Sequence, residues 1–440
     1  MPKLAPLSVL PLSAVLRTLA STTISSSPLL LGPSLAVMTA LAYSNRTLLN
    51  TDKNPILSWL LKKTFYAQFC AGENAAEVRR TVDGLKKIGF TGVILGYGRE
   101  IVLRGTDEDN LAVCEEGPVA EECIRNEVNP WAAGTMQTLR LAQPGDFVAL
   151  KFSGAGRQAL YALKNRLPPS KRLKEAIDEI CEYAAQKDVP LIFDAEQTAI
   201  QAGIDDWTLH YQRKHNTKPG HAVIYGTYQA YLKATPAVLG SHLAAASKEG
   251  FTVGVKLVRG AYLDSDPRHI IHDTKEDTDV CYDDIAAGLI QRKWNSVLHQ
   301  GVAFPPVSIL LATHNLVSVR KAREIRASLG PTDTELAIAQ LLGMADEVSC
   351  ELLVAKAALQ ASMPPGQDRA LLEDQARQTV GLYEAPKAYK YIIWGTTKEC
   401  MKYMLRRAHE NRDAMSRTKG SRDAAWGEIM RRVKALVGLA

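Results

Sequence analysis

The chain has 440 residues, 46% hydrophobic and 23% charged, with a formal net charge of +6, an ordinary balance for a globular enzyme. The charge is spread along the chain with no Lys/Arg-rich tract and no zinc-type spacing, which disfavours nucleic acid and suits a small anionic ligand better. Seven cysteines (Cys70, Cys114, Cys123, Cys181, Cys281, Cys350 and Cys400) form no CxxC pair, which argues for reduced thiols and against a secreted disulfide scaffold.

No Asp or Glu precedes Asp52, whereas Lys3, Arg17 and Arg46 are basic and serine is frequent, as in Ser25-Ser26-Ser27. Residues 1–45 are therefore read as a targeting or membrane-proximal segment of mitochondrial type, expected to be dispensable for cofactor binding. Within it, 28-PLLLGPSLAVMTALAY-43 is uncharged but interrupted by Gly32 and Pro33, and it falls short of the about 20 apolar residues of a spanning helix. It is expected to dock on a bilayer surface or on the fold. Residues 46–90 read as an N-terminal helical arm.

From about residue 85, β-branched runs alternate with amphipathic helical patterns. The runs are 91–98, 146–154, 189–197, 222–229, 253–262, 307–315, 335–343 and 388–395, of which 335–343 could equally be helical. Between them, 171–187 places Leu173, Ile177, Ile180 and Tyr183 on one stripe, the spacing of a helix with one buried face. Alternating βα units imply a parallel sheet, and eight of them a closed barrel over residues 91–440. Two insertions interrupt the pattern. Residues 105–145 carry the acidic stretch 107-DEDNLAVCEEGPVAEEC-123, read as a solvated loop or helix cap, and residues 352–386 lengthen the link before the last strand. Neither shows a function.

Polar residues gather at the carboxyl ends of the runs: Lys151, Asp194, Gln229, Lys256, Arg259, Thr313, His314, Asn315 and Tyr391. In a (βα)8 barrel that end is the catalytic face. After the last strand, residues 399–411 read as a helix on which Tyr403, the pair Arg406 and Arg407, and Glu410 fall three and four apart. Paired guanidiniums grip a carboxylate with bidentate, charge-assisted bonds; a surface ladder of Arg406 with Glu410 is the bland alternative. The glycines at 96 and 98 lack the third glycine of a dinucleotide loop, Ile101 standing in its place, and read as a tight turn. No Walker A, HExxH or GxSxG sequence occurs, and no metal site is expected.

The motifs 256-KLVRGAY-262, 312-ATHN-315, 340-QLLGM-344 and 403-YMLRRAHEN-411, supported by 194-DAEQ-197 and 228-YQAYLK-233, occur in one order between roughly residues 55 and 420. Together they resemble the FAD-dependent proline dehydrogenase family of eukaryotic, fungal mitochondrial type. The resemblance implies a distorted (βα)8 TIM-like barrel with an N-terminal helical arm and noncovalent FAD on its carboxyl face. It implies oxidation of L-proline to 1-pyrroline-5-carboxylate, the first step toward glutamate, with a membrane quinone as acceptor on the matrix side of the inner membrane. Residue by residue, Arg406 and Arg407 would hold the substrate carboxylate. Tyr391, Tyr403 and Leu341 would wall in the ring, with Lys151 and Asp194 nearby. Gln229, Lys256, Val258, Arg259, Gly260, Ala261, Thr313, His314 and Asn315 would line the flavin, and Glu410 would bond its ribityl side or brace the arginines. Where the family often has Y-x-P-Y-G this chain reads 391-YIIWG-395, which leaves the pocket's shape open.

Residue-level chemistry agrees. Removing hydride from an amine carbon needs a two-electron acceptor that no side chain supplies, and it leaves positive charge as C=N forms. Asp194 would stabilise that charge, with Lys151 expected beside it as counter-charge. Lys256 and Arg259 suit a flavin's reduced N1 region and pyrophosphate, and Gly260 and Ala261 are small enough for close approach. Competing readings are hydroxyproline or another cyclic amino acid as substrate, a Schiff-base aldolase using Lys151 or Lys256, and a colourless membrane-associated scaffold. Retaining Tyr391 favours proline over its hydroxylated form.

Overall fold

The computed structural model describes residues 5–43, 46, 49, 51, 53–98, 117–263, 265–329, 334–361, 387–413 and 415–438. The N-terminal helices are α1 (Leu12–Ser26), α2 (Pro28–Tyr43), α3 (Pro55–Leu61) and α4 (Ala75–Ile88), with a short strand β1 (Cys70–Gly72) before α4. Eight βα units follow. They are β2 (Gly92–Tyr97) with α5 (Gly117–Cys123) and α6 (Asn129–Leu141), and β3 (Phe147–Leu150) with α7 (Arg157–Lys164) and α8 (Lys171–Lys187). Then come β4 (Leu191–Phe193) with α9 (Thr198–His215), β5 (Ile224–Gln229) with α10 (Thr235–Glu249), and β6 (Val253–Val258) with α11 (Lys275–Gln291). The last are β7 (Val307–Ala312) with α12 (Leu316–Ser328), β8 (Leu336–Leu341) with α13 (Asp346–Ala361), and β9 (Lys387–Trp394) with α14 (Thr397–Asp413); α15 (Met415–Leu436) ends the described chain.

Strands β2 to β9 follow one another in the sheet and β9 pairs with both β2 and β8, so the parallel sheet closes as an eight-stranded barrel. The ambiguous run 335–343 is a strand. Strand β1, parallel to β9 with Cys70 opposite Ile393, was not foreseen within the expected helical arm, because a three-residue Cys-Ala-Gly segment has no alternation to read. By contacts the chain divides into two compact units. One is Met1–Arg99, Gln340–Ser362 and Ala388–Ala440; the other is Glu100–Ala339 and Met363–Lys387.

In the second unit the period of two is strict. Val253, Val255 and Leu257 of β6 and Val307, Ile309 and Leu311 of β7 are buried in one core with Leu243, Ile285 and Leu289 of the covering helices. The alternate positions therefore take the barrel's inner face: Tyr225, Thr227 and Gln229 on β5, Gly254 and Lys256 on β6, Ser308 on β7. Gly254 is required there, since a Cβ would lie 2.3 Å from the Ile224 carbonyl oxygen. Leu257 is fully buried in the outer layer, and its truncation to alanine would cost about 2–5 kcal/mol.

Helix α8 spans the predicted 171–187, but its buried stripe runs through Leu173, Ile177, Ile180, Cys181 and Ala184. Tyr183 is only half-buried and faces the Lys187 ammonium at 5.7 Å. The stretch 117–123, read as loop or cap, is helix α5 with Ala120 and Cys123 buried; residues 105–116 of that insertion and 362–386 of the second lie outside the described residues. Six cysteines are free and buried, in keeping with reduced thiols; Cys114 is outside the described residues. Residues 96–98 are no isolated turn. Gly96 and Tyr97 end β2, and at Gly96 a Cβ would lie 2.6 Å from Ile393, so glycine admits that side chain.

In the first unit Leu7, Leu10 and Val15 share a core with Cys350 and Ala425. No single helix among the described residues is long and apolar enough to cross a membrane; α1 and α2 reach that length and hydropathy only together, bent by 102°. Leu29 and Val37 of α2, and Ile56 and Trp59 of α3, are exposed.

Candidate active site

The predicted residues divide between the two units. In the second unit, the polar residues lie at or near the carboxyl ends of the strands. Asp194 follows β4, its N–H donating to the Leu150 carbonyl at 3.0 Å. Lys256, on the inner face of β6, donates to Asp194 Oδ1 at 2.5 Å, with side chains only 8% and 7% exposed. Lys256, expected at the flavin, is thus also a cation seated on Asp194. Lys151, expected beside Asp194, donates to the Tyr262 hydroxyl at 3.3 Å. A buried pair like this is held by geometry, and removing one partner alone would strand a charge at a cost of about 3–5 kcal/mol.

Arg259 is likewise more engaged than its sequence position suggested. Its guanidinium donates to Asp279 at 2.9 Å, Thr313 Oγ1 at 2.5 Å and Ser318 Oγ at 2.8 Å, and it lies 4.3 Å over the Tyr282 ring. Burial pushes the Asp279 carboxyl up, but the bonds from Lys275 and Arg259 outweigh it and hold the group below the ordinary carboxylate range. Asn315 caps α12, accepting from the Val317 and Ser318 N–H groups at 2.9 and 3.4 Å, so this residue does the work of a helix N-cap. Thr313 also accepts from the Asn315 N–H at 3.1 Å. His314 stands half-buried between them.

The segment after β6 is tied to the end of β5. The Ala230 and Tyr231 N–H groups donate to the Val258 and Arg259 carbonyls at 2.8 and 2.7 Å, and the Ala261 N–H donates to Gln229 Oε1 at 3.2 Å. Packing alone already requires glycine at 260, since a Cβ there would lie 2.3 Å from the Tyr231 ring. Gln229 is 3% exposed, and its Nε2 has no hydrogen-bond partner among the described residues. A buried amide donor left open is costly in a finished core, and here it fits a ligand acceptor at the strand end. The donor set of Gln229, Lys256 and Arg259 suits a flavin's carbonyl, N1 and phosphate oxygens. The residues present therefore fit the group that the resemblance implies. Asp279, Ser318, Tyr262 and Tyr282 were missed. Of these only Tyr262 lay inside a quoted motif; the others sit on helices with no local signal.

In the first unit, α14 spans 397–413, wider than the expected 399–411. Tyr403 is buried, Arg406 half-buried, and Arg407 only 5% exposed, its guanidinium 4.9 Å over the Tyr403 ring. Arg407 is therefore no surface residue; the ladder weighed for Arg406 involves Glu410, which lies on the same helix with its side chain outside the described residues. Tyr391 is buried on β9, and its carbonyl accepts from the Leu342 N–H at 2.9 Å, next to Leu341 at the end of β8. The departure 391-YIIWG-395 is absorbed locally. Trp394 packs at 5.1 Å against Tyr97, whose hydroxyl donates to Glu399 at 3.0 Å. Among the described residues no cluster of His, Cys, Asp or Glu could hold a metal ion.

The family model for proline dehydrogenase matches residues 78–420. The chain is 30% identical over 419 residues to the probable mitochondrial proline dehydrogenase of Schizosaccharomyces pombe, covering 84% of this chain and 79% of that one. It is 27% identical to the hydroxyproline dehydrogenase of Mus musculus, covering 85% and 83%. Proline utilization A from Bdellovibrio bacteriovorus, in a crystal structure inactivated by N-propargylglycine, superposes with a TM-score of 0.62 at 16% identity. That match covers 89% of this chain and 38% of the other, so this chain spans well under half of that protein, and the likeness concerns the fold. By its barrel, its motifs and these matches, the chain belongs to the proline dehydrogenase family of oxidoreductases.

Proposed function

We propose that the chain oxidises L-proline to 1-pyrroline-5-carboxylate with noncovalently held FAD, in mitochondria, and passes the electrons to a membrane quinone. The observation that carries this reading is Arg407, a cation buried to 5% exposure and stacked on Tyr403. A guanidinium held this deep and stacked on an aromatic ring suits bidentate, charge-assisted recognition of a carboxylate, and in this reading the substrate's carboxylate is what it meets. Arg406, half-buried one residue earlier, makes the second half of the grip.

When bound, FAD supplies the two-electron acceptor that the side chains lack. In this reading Gln229, Lys256, Val258, Arg259, Gly260, Ala261, Thr313, His314 and Asn315 hold it, with Arg259 held in orientation by Asp279 and Ser318. Leu341, Tyr391 and Tyr403 exclude water around the ring. Asp194, held in place by Lys256, faces the charge that grows on the C–N unit, while Lys151 holds the Tyr262 hydroxyl. Glu410 braces the arginines or meets the flavin's ribityl side. Residues 1–45 address the chain to mitochondria, and the exposed Leu29, Val37, Ile56 and Trp59 give it an apolar surface suited to the inner membrane that holds quinone.

The mouse relative is named for hydroxyproline, so both substrates enter the test. Purified protein should be yellow, bleach with L-proline under anaerobic conditions, and release its colour into the supernatant on acid precipitation. Colourless protein that resists FAD reconstitution would sink the reading. Faster bleaching with 4-hydroxyproline than with proline would reassign the substrate, and colour retained in the pellet would make the flavin covalent.

A further inference from the structure

Helix α1 lies within the segment that composition marks as a leader, yet it is built into the first unit. Val15 is fully buried and shares a core with Leu7, Leu10, Cys350 and Ala425. Arg432 Nη2 donates to the carbonyls of Leu7, Ser8 and Leu10 at 3.3, 3.5 and 2.7 Å. Thr18, 4% exposed, donates to Asp346 Oδ2 at 3.0 Å, across 328 residues of sequence.

Asp346 opens α13, and its other oxygen accepts from Lys390 Nζ at 2.8 Å. Lys390, 2% exposed, also donates to the carbonyls of Leu341 at 3.4 Å and Met344 at 3.1 Å. Its three ammonium protons thus meet three acceptors at the two ends of one loop, 341–346. The middle of that loop is held by Gln68, whose Nε2 donates to the Gly343 carbonyl at 3.1 Å and to Thr18 Oγ1 at 3.2 Å. Gly343 has φ +72°, and a Cβ there would lie 2.2 Å from the Gln68 carbonyl; glycine alone fits. Leu341 begins the loop, and Lys390 is the neighbour of Tyr391 on β9.

We propose that α1 is a resident part of the working enzyme, in which Thr18, acting through Asp346 and Lys390, positions the loop that starts at Leu341. This rests on the reading that Leu341 and Tyr391 enclose the substrate ring. A buried carboxylate whose two oxygens have different donors has one preferred orientation. Take away the Thr18 hydroxyl and one oxygen loses its donor out of reach of water, so the carboxylate turns and Lys390, paired with it, turns too. Loss of α1 as a leader, with the residues before it, would do more, opening the core around Val15 and freeing Arg432 Nη2. Thr18 is a positioning residue and touches no substrate.

Two arms test this. Intact-mass measurement on full-length protein recovered from mitochondria should find α1 retained. A fully active mature chain beginning after Ser26 would overturn residency, whatever the substrate proves to be. In the full chain, Thr18→Val keeps the volume and removes the donor, whereas Thr18→Ser keeps the donor. Thr18→Val should raise KM for proline on the order of 2- to 30-fold, the range of modest energetic couplings to a site, with flavin content and kcat near wild type. Thr18→Ser should match wild type. A wild-type KM in Thr18→Val, or equal impairment in both variants, overturns the positioning role. Asp346→Asn, which keeps the shape and loses the paired charge, should show the same KM rise and serves if Thr18→Val folds poorly. Wild-type bleaching by proline, scored first, separates failure of this proposal from failure of the functional reading.

Discussion

Replacing Arg407 with methionine tests the substrate grip at its most buried point. Methionine keeps much of the side-chain length and packing but removes the guanidinium that lies 4.9 Å over Tyr403 at 5% exposure. A hydrogen bond to a charged group contributes about 1.5–3 kcal/mol, and about 1.4 kcal/mol is tenfold in rate. Arg407→Met should therefore lower kcat/KM for proline roughly 10- to 100-fold, while Arg406→Met, half in water, falls near the lower end. Proline-dependent reduction of an electron-accepting dye gives kcat/KM, and absorbance gives flavin content, which should stay near wild type. Pyrrolidine, lacking the carboxylate, should be a poor substrate of wild type and hardly worse with either variant. The alternative is a purely structural cation, held by stacking worth roughly 2 kcal/mol when desolvated. That predicts a lower Tm with little change in kcat/KM per folded enzyme. Such an outcome for both variants would refute the carboxylate assignment.

Gln229→Leu removes the open amide donor at nearly constant volume; one neutral hydrogen bond is worth about 0.5–1.5 kcal/mol, so FAD should bind the apoprotein roughly 2- to 13-fold more weakly by fluorescence titration. An unchanged affinity would mean that Nε2 does not meet the flavin. Gly260→Ala drives a methyl into the Tyr231 ring and should cost about 1–3 kcal/mol, read as a lower denaturation midpoint; a neutral result would show that the 258–261 segment yields easily. Burial, helped by Arg213 and opposed by Asp206, pushes the His242 imidazole down to about 4, where it meets the Tyr228 hydroxyl at 2.8 Å. The unfolded chain, near the ordinary 6.5, binds the extra proton first, so stability from neutral His242 is complete above pH 6.5 and is lost as pH falls to 4. That loss is on the order of 3 kcal/mol, and His242→Gln should abolish it, so that it appears as the difference between the two stability–pH curves.

What the amino-acid sequence determined by itself is the chain-local part. The strand positions, the helix of 171–187 and the helix carrying Arg406 and Arg407 follow from periods of two and 3.6, which need no knowledge of the rest of the chain. Even 335–343, ambiguous alone, has a place as the strand that an eighth βα unit requires. Short or irregular pieces escaped this reading: β1 is three residues long, and α5 lies in an acidic stretch that looks solvated. Membership of the site was legible from strand ends, but partnership within it was not. Lys151 and Lys256 are both lysines on the barrel's polar end, and only the register of β4, β5 and β6 seats Lys256, 62 residues away, on Asp194. Arg259 stands at a strand end in the sequence, and only α11 and α12 bring Asp279 and Ser318 to orient it. The same limit applied to the N-terminus. A serine-rich segment without acids reads as a leader, and its composition cannot reveal that Thr18 meets Asp346 in the interior. Local propensity repeats every few residues along one chain, whereas an ion pair or buried hydroxyl is decided by which distant segments share a desolvated space.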